Sequence, residues 1–285
     1  MCNSFNKYFV NIADSIGFKD TIPDDMLNND LFEYIVNKYN NHPSIDIINS
    51  KNISTVFEFR YTDETEVKSV ISKLDINKTM GYDFISSKII KLCSNNIAHV
   101  VVKLINACID KHIFPCEMKL ADVASIFKKN DRLDESNYRP ISILIIMSKV
   151  FEKIFASRIT MYFHDIFSPY LSAYREGYNC EQVLIKFICM WKESLDNNNY
   201  FGAVLMDLSK AFDCLPHCLI VAKLNAYGFS KNSCLLIASY LYNRKQRVKI
   251  GSSRSDWLQL KKESHKALLS GRFFLIFLLT IYFIL

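Results

Sequence analysis

Apolar residues recur at helical spacing in four stretches of the chain. The first has the i, i+3, i+4, i+7 spacing of an amphipathic helix, at Val67, Val70, Ile71 and Leu74. Asp63 precedes this stretch and Glu66 lies three residues further on, which is the capping-box pattern of a helix start. Similar patterns predict helices in Ile97–Cys108, in Ser148–Tyr162 and after Pro216.

Two shorter apolar stretches predict strands. Asp122–Phe127 is one, and the charged loop Lys128–Ser136 follows it. The other, Tyr200–Met206, is apolar and rich in β-forming residues, which is typical of a buried strand, and it ends at Asp207. Helices mixed with short strands of this kind predict an α/β or α+β architecture.

The two ends of the chain lack this organisation. Residues 1–55 are rich in Asn and Asp and have few periodic runs, so we interpret them as a linker or the remnant of an upstream region. The segment Phe273–Leu285 is almost wholly apolar. It is shorter than the roughly 20 residues of a membrane-spanning helix, so a membrane anchor is the weaker interpretation and no membrane partner is expected.

Composition adds a mild basic bias and an expected compartment. The net charge of +6 over 285 residues is compatible with a polyanionic partner but does not require one. Nine cysteines without a CxxC pair predict free thiols in a reducing compartment. Because Met1–Lys7 is polar and no apolar segment follows it, no secretory signal is predicted, and we expect an intracellular protein, cytoplasmic or nuclear.

One run of basic residues stands out near the end of the chain. It contains Arg244, Lys245, Arg247, Lys249, Arg254, Lys261 and Lys262. Such a run is either a solvated face or a surface that contacts the backbone of a nucleic acid. The sequence alone leaves both interpretations open.

Two further groups could carry phosphate chemistry. Lys128, Lys129 and Arg139 flank a loop beside a predicted strand, and their side chains could hold a triphosphate, although an exposed loop is the simpler interpretation. Asp207 ends the predicted strand Tyr200–Met206, where a carboxylate is well placed to bind Mg²⁺. Two such ions can bridge the attacking and leaving oxygens of nucleotidyl transfer. An isolated Asp at a strand end is, however, more often a cap or turn residue.

Several segments together resemble one protein family. In order along the chain they are FKKNDRLDESNYRPISIL, SKVFEKIFASRI, LSAYREGYNCEQVL, GAVLMDLSKAFDCLPH and YLYNRKQRVKIGSSRSDW. Their order and spacing resemble the reverse transcriptases of non-LTR, LINE-type retrotransposons. Because several independent motifs agree in order, chance is a poor explanation of the resemblance.

The resemblance implies roles for individual residues. Asp207 matches the first catalytic metal ligand, with Mg²⁺ as the cofactor, and Phe212 matches the aromatic residue that excludes a ribose 2′-hydroxyl. The residues expected near the incoming nucleotide are Lys128, Lys129, Arg139 and Phe212. Those expected along the nucleic acid are Tyr174, Arg175, Gly177, Arg244, Lys245 and Arg247. The implied partners are an RNA template, a DNA primer and deoxynucleoside triphosphates.

The resemblance also implies an α+β fold, with the fingers and part of the palm of a right-hand polymerase in residues 56–262. The palm sheet is expected to be incomplete and the thumb absent, because the family's aromatic-x-Asp-Asp hairpin has no counterpart; Asp24-Asp25 is the only Asp-Asp pair. We interpret the apolar tail 263–285 as the product of a frameshift.

The function implied by the resemblance is therefore that of a reverse transcriptase domain-containing protein, an RNA-directed DNA polymerase of a mobile element. As a truncated chain it is expected to be inactive. The alternatives are a residual nucleic-acid-binding module and a non-functional relic.

Overall fold

Helices account for about half of the residues that the structure describes. The computed structural model describes residues 1–11, 29–166, 171–172, 177–204 and 216–260; the other residues lie outside the described structure. The helices within the described residues are α1 Cys2–Asn11, α2 Asn29–Tyr39, α3 Pro43–Asn49, α4 Glu64–Ser72, α5 Ser87–Leu92, α6 Ser94–Lys111, α7 Ile146–Phe163, α8 Cys180–Asp196, α9 His217–Ala226 and α10 Lys231–Leu241. Short 3-10 helices occupy Cys116–Lys119 and Glu135–Asn137.

One small mixed sheet accompanies the helices. Its strands are β1 Leu120–Phe127, β2 Tyr138–Leu144, β3 Lys245–Ile250, β4 Ser253–Arg254 and β5 Leu258–Gln259. They are ordered β2-β1-β3-β4, and β5 also pairs with β3. β1 runs antiparallel to β2 and parallel to β3. Parallel neighbours need a long crossover connection, and here the chain from α7 to α10 provides it. The protein is therefore α+β.

The main hydrophobic core lies among the helices. Its largest fully buried side chains include Phe114, Phe151, Ile154, Phe163 and Tyr227. Aromatic rings meet edge to face there: Phe114 and Tyr240 lie 5.0 Å apart, and Phe163 and Tyr227 lie 5.0 Å apart. Such pairs favour one arrangement of the helices, because the positive edge of one ring prefers the negative face of the other.

The predicted start of α4 is confirmed. Asp63 is its N-cap, and the side chain of Asp63 accepts a hydrogen bond of 2.8 Å from the backbone N–H of Glu66. The carboxylate of Glu66 turns to other partners, accepting hydrogen bonds of 2.6 Å from Thr62 and of 2.6 Å from Arg158 on α7. Glu66, in the first turn of α4, thus links α4 to α7.

Of the other predicted elements, three helices and one strand are confirmed and one strand is wrong. The helices predicted around Ile97–Cys108, in Ser148–Tyr162 and after Pro216 are confirmed by α6, α7 and α9, and the strand Asp122–Phe127 by β1. The strand predicted for Tyr200–Met206 is wrong over residues 200–204, which form none; the two remaining residues lie outside the described structure. Val204 is 86% exposed. No strand pairs with this segment within the described part of the chain, and an unpaired strand is not stable in water.

The described part of residues 1–55 contains three helices that were not predicted from the sequence. α1 packs on the sheet, and α2 and α3 pack on α9. Their buried apolar side chains include Phe5, Phe9, Ile35 and Ile48. The interpretation of residues 1–55 as a linker or upstream remnant, and the limits of the segment 56–262, stay predictions. The proposed frameshift tail 263–285 lies outside the described residues.

Replacing Lys223 by methionine is expected to stabilise the protein. Lys223 lies on α9 with 2% of its surface exposed, and burial lowers its pKa from 10.5 to about 8. Below pH 8 the folded state therefore holds a buried charge, at a cost of up to about 3 kcal/mol. Because the unfolded chain binds more protons between pH 8 and 10.5, stability of the unchanged protein should rise with pH across that window.

Chemical denaturation at pH 7 and pH 10 measures both effects. The methionine variant should be more stable than the unchanged protein at pH 7. Its stability should also rise much less between pH 7 and pH 10 than that of the unchanged protein. Lys103 on α6 is exposed and serves as the control, because its replacement by methionine should change stability by less than about 0.5 kcal/mol. A destabilised Lys223 variant would contradict the prediction.

Candidate nucleic-acid interface

The two faces of the sheet differ in what they carry. Residues that stand opposite each other on neighbouring strands point to the same face. The register aligns Ile141, Ala124, Lys249 and Arg254 in one row across β2, β1, β3 and β4. On the same face, the register pairs Arg139 with Ile126 and Asp122 with Arg247. We call this the open face, and the side with Val123, Tyr138 and Val248 the back face.

Helix α1 covers the back face. Phe5 and Phe9 form a small hydrophobic cluster with Val123 and Val248, and the rings of Phe5 and Tyr138 lie 4.8 Å apart. Polar contacts fix the helix in register: the buried amide of Asn6 donates to the carbonyl of Asp256 at 2.9 Å and accepts from the side chain of Gln246 at 3.1 Å. The back face therefore belongs to the interior.

The open face combines cations with exposed apolar side chains. Arg139 on β2 and Arg254 on β4 are exposed, and Lys249 on β3 is half-buried. Between them, Ile126 and Ile141 are each 48% exposed. The two arginines lie on the outer strands of the sheet, three strand spacings or about 14 Å apart. A surface of this kind can bind phosphates and the flat faces of bases at the same time.

The hairpin β1–β2 brings Lys128, Lys129 and Arg139 together. Lys128 and Lys129 follow β1 directly, and the backbone N–H of Lys128 donates to the carbonyl of Asn137 at 2.8 Å, at the base of the loop. The loop is held by its own side chains: Tyr138 donates to the carbonyl of Arg132 at 2.9 Å. These three predicted nucleotide-binding residues therefore share the end of one hairpin.

The predicted basic run does not form a single surface. Lys245 is exposed, but Arg244 is 3% exposed, donates to the carbonyl of Tyr240 at 3.0 Å and stacks on the Tyr240 ring at 4.9 Å. Arg247 donates to the buried carboxylate of Asp122 at 2.6 Å and lies 4.4 Å over the ring of Trp257. Both arginines thus hold the sheet to its surroundings.

Several predicted site residues lie outside the described structure: Asp207, Phe212, Tyr174 and Arg175. Gly177 is described and has a φ of +83°, with open space where a Cβ would stand. Among the described residues, no group of three His, Cys, Asp or Glu side chains could hold a metal ion.

A cleft of about 660 Å³ lies between the segment before α4, the end of α6 and the start of α10, and none of its lining residues is a predicted site residue. No helix in the described ranges is both long and apolar enough to cross a membrane.

Sequence reasoning missed Lys249 and Arg254 as individual site residues. Both were counted in the basic run without an assigned role. Lys245, Arg247 and Lys249 alternate with Gln246 and Val248, which is the period-two pattern of a strand with one basic face. That alternation could have separated Lys245, Arg247 and Lys249 from Arg244, which lies outside the pattern. Nothing local indicated that Asp122 would take up Arg247, because the two strands are far apart in sequence.

Comparison with known proteins finds one matching family and several relatives. The family described as reverse transcriptase (RNA-dependent DNA polymerase) matches residues 126–263. Three relatives come from Drosophila melanogaster: the probable RNA-directed DNA polymerase from transposon BS, 26% identical over 194 residues, that from transposon X-element, 29% identical over 198 residues, and the RNA-directed DNA polymerase from mobile element jockey, 24% identical over 195 residues.

Each of these alignments covers 67% of this chain and 21% of the relative, so the chain spans about a fifth of the length of these curated relatives. The family match begins at the end of β1 and includes β2, β3, β4, β5 and helices α7 to α10. Residues 126–263 therefore match the reverse transcriptase family, and the chain is similar to the RNA-directed DNA polymerases of non-LTR mobile elements.

Proposed function

We propose that this chain supplies the fingers and part of the palm of an RNA-directed DNA polymerase, and that the open face binds nucleic acid and the incoming nucleotide. The observation that carries the proposal is the collection of Arg139, Lys249 and Arg254 on one sheet face whose reverse side is sealed by α1. The proposed substrates are an RNA template, a DNA primer and deoxynucleoside triphosphates.

Lys128, Lys129 and Arg139 would contact the triphosphate. The guanidinium of Arg139 offers a planar fork of donors that matches phosphate oxygens, and the two lysines add positive charge without fixed geometry. Their shared position at the end of the hairpin supports this role. Phe212 would lie against the sugar, a proposal that rests on its place in the motif after Asp207.

Lys245 would contact the nucleic-acid backbone together with Lys249 and Arg254. Arg244, which is buried, and Arg247, which is half-buried in its pair with Asp122, were placed with them by the sequence and would act by fixing the sheet. Tyr174, Arg175 and Gly177 would lie along the template; this rests on the order of motifs alone.

Reverse transcriptases work with a divalent metal ion, and we propose Mg²⁺ with Asp207 as one ligand. Such an ion supplies charge stabilisation to phosphate oxygens during transfer. Within the chain itself, the residues that bind and orient the nucleotide are those of the hairpin and the open face.

Binding to an RNA–DNA duplex tests the open face. The affinity should fall steeply with salt, because cationic side chains displace counterions from the phosphates. The double variant Arg139→Gln/Lys249→Gln should bind at least about tenfold more weakly and reduce the logarithmic salt slope by about 2. Lys103→Gln on α6, outside the sheet, is the matched control. Unchanged binding by the folded double variant would refute this assignment.

Primer extension separates polymerase activity from binding alone. Template-directed extension that Asp207→Asn abolishes would support a polymerase. Salt-dependent binding without extension would support the second candidate, a nucleic-acid-binding module. The cations of the open face favour this candidate because they can bind phosphates without the carboxylate of Asp207. The predicted lack of polymerisation by this chain is decided by the same assay.

A further inference from the structure

The loop between α4 and α5 holds an aromatic residue in a strained conformation. Phe84 has a φ of +59°, in the left-handed region that bulky side chains rarely adopt. Its backbone N–H donates to the carbonyl of Gly81 at 3.1 Å, and the carboxylate of Asp83 accepts from the N–H of Ile85 at 3.2 Å. Strain of this kind persists where the surroundings impose it, and it is commonest at functional sites.

The loop is anchored without help from the Phe84 side chain. A Cβ on Gly81 would lie 2.7 Å from the Cα of Ile145, so the loop backbone packs directly against the start of α7. Tyr82 donates to the carbonyl of Glu117 at 2.8 Å, and its ring lies 5.7 Å from that of Trp257. Phe84, in contrast, is 57% exposed. A rigid loop therefore presents an aromatic ring to solvent.

The ring stands at the edge of the open face. The guanidinium of Arg254 lies 5.1 Å from its centroid, and Arg254 pairs with Lys249 in the sheet. An exposed aromatic ring beside two cations is the combination by which proteins bind single-stranded nucleic acid, because the ring stacks on a base while the cations hold the phosphates.

We propose that Phe84 is a base-stacking residue for an unpaired nucleotide of the strand bound on the open face. The phosphates flanking that nucleotide would contact Lys249 and Arg254, and the base would stack on the ring face that Arg254 leaves exposed. This inference rests on the proposed function and adds a subsite to it. The strained backbone holds the ring outward, away from the core that would otherwise bury it.

Two single-stranded oligonucleotides of equal length test the proposal, one with all its bases and one abasic. The unchanged protein should bind the strand with bases about tenfold more tightly than the abasic strand. Phe84→Leu should lose that preference and leave both the abasic affinity and the salt slope unchanged. Phe84→Tyr should retain the preference. Tyr61→Leu, an equally exposed aromatic residue before α4, is the control and should change neither affinity.

Phe84→Gly adds the melting temperature as a second measurement. A purely structural role of the ring would lower this temperature in the variant, whereas the stacking role predicts that it rises. Glycine adopts positive φ without steric cost, so the variant should melt about 2 °C higher while binding the strand with bases more weakly. A variant that melts lower and binds normally would show that the ring only stabilises the loop.

The two levels of the proposal fail differently. If the unchanged protein binds no strand in a salt-dependent manner, the proposed function itself fails. If Arg139→Gln/Lys249→Gln weakens binding but Phe84→Leu matches the unchanged protein on both strands, the open face stands and the stacking role of Phe84 is refuted.

Discussion

Replacing Arg158 by alanine is expected to lower the free energy of unfolding by about 4 kcal/mol. Arg158 on α7 is 7% exposed and donates to the carboxylate of Glu66 at 2.6 Å. Its guanidinium also donates to the backbone carbonyls of Arg60 and Tyr61, in the segment that leads into α4. Alanine would leave a half-buried carboxylate and two carbonyls without their shared donor, and each unpaired buried group costs free energy.

Urea unfolding followed by far-UV circular dichroism measures the loss. Lys68 forms an exposed ion pair with Glu64 at 3.0 Å within one helix and is the control; Lys68→Ala should cost less than about 0.5 kcal/mol. Arg158→Lys keeps the charge but loses the fork of donors, and should fall between the two. Equal effects of Arg158→Ala and Lys68→Ala would contradict the role given to this network.

The same network predicts a dependence on acid. Burial acts to raise the pKa of Glu66, but the hydrogen bonds from Arg158 and Thr62 outweigh it and hold that pKa below its ordinary value of 4.5. The stabilisation is therefore fully present above pH 4.5 and is lost as the pH falls through the lowered value in the folded state. Arg158→Ala should flatten stability across that acidic range.

Replacing Gly228 by valine is expected to cost about 4 kcal/mol, from backbone strain and overpacking together. Gly228 joins α9 to α10 with a φ of +90°. A Cβ there would overlap the carbonyl oxygen of Thr55 and lie 2.9 Å from the hydroxyl of Tyr162. The carbonyl of Gly228 also accepts from the N–H of Phe57 at 2.8 Å. The substitution would therefore separate the segment before α4 from α9 and α10.

Gly251 separates the two causes. It has a φ of +60° in the turn between β3 and β4, and nothing lies within 4 Å of where its Cβ would stand. Gly251→Val should therefore show the backbone cost alone, about 1–2 kcal/mol. Thermal melts of both variants provide the comparison. If the two variants lose the same stability, close packing at Gly228 is not the cause.

Local patterns predicted the elements that carry their own signal. The apolar periods of α4 and α6 were sufficient because each of these helices buries one face, whereas α7 and α9 are buried on most sides and were predicted from their high apolar content. α8 was missed although Asn179 and Gln182 form a complete capping box at its start. Helix α2 was missed although Leu31, Ile35 and Tyr39 recur at helical spacing, because the Asn- and Asp-rich composition of residues 1–55 favoured the linker interpretation.

The sheet was beyond local prediction for a different reason. Its open face depends on β3 pairing in parallel with β1, a contact between segments that helices α7 to α10 separate. The pairing decides that Arg247 meets a buried Asp122 while Lys249 stays near the surface. Lys128, Lys129 and Arg139 lie at one hairpin because they are close in sequence, and their role at the incoming nucleotide stays a prediction.

The contact of α1 with the sheet has a consequence for how the chain acquires its structure during synthesis. Asn6 and Asp256, which hydrogen-bond in the finished protein, are separated by 250 residues. At 5 to 20 residues per second, the ribosome needs roughly 10 to 50 s to deliver β3 and β4 after α1 has emerged. During that interval Phe5 and Phe9 have no sheet to cover, so α1 is the segment of the nascent chain that we expect to depend most on chaperones.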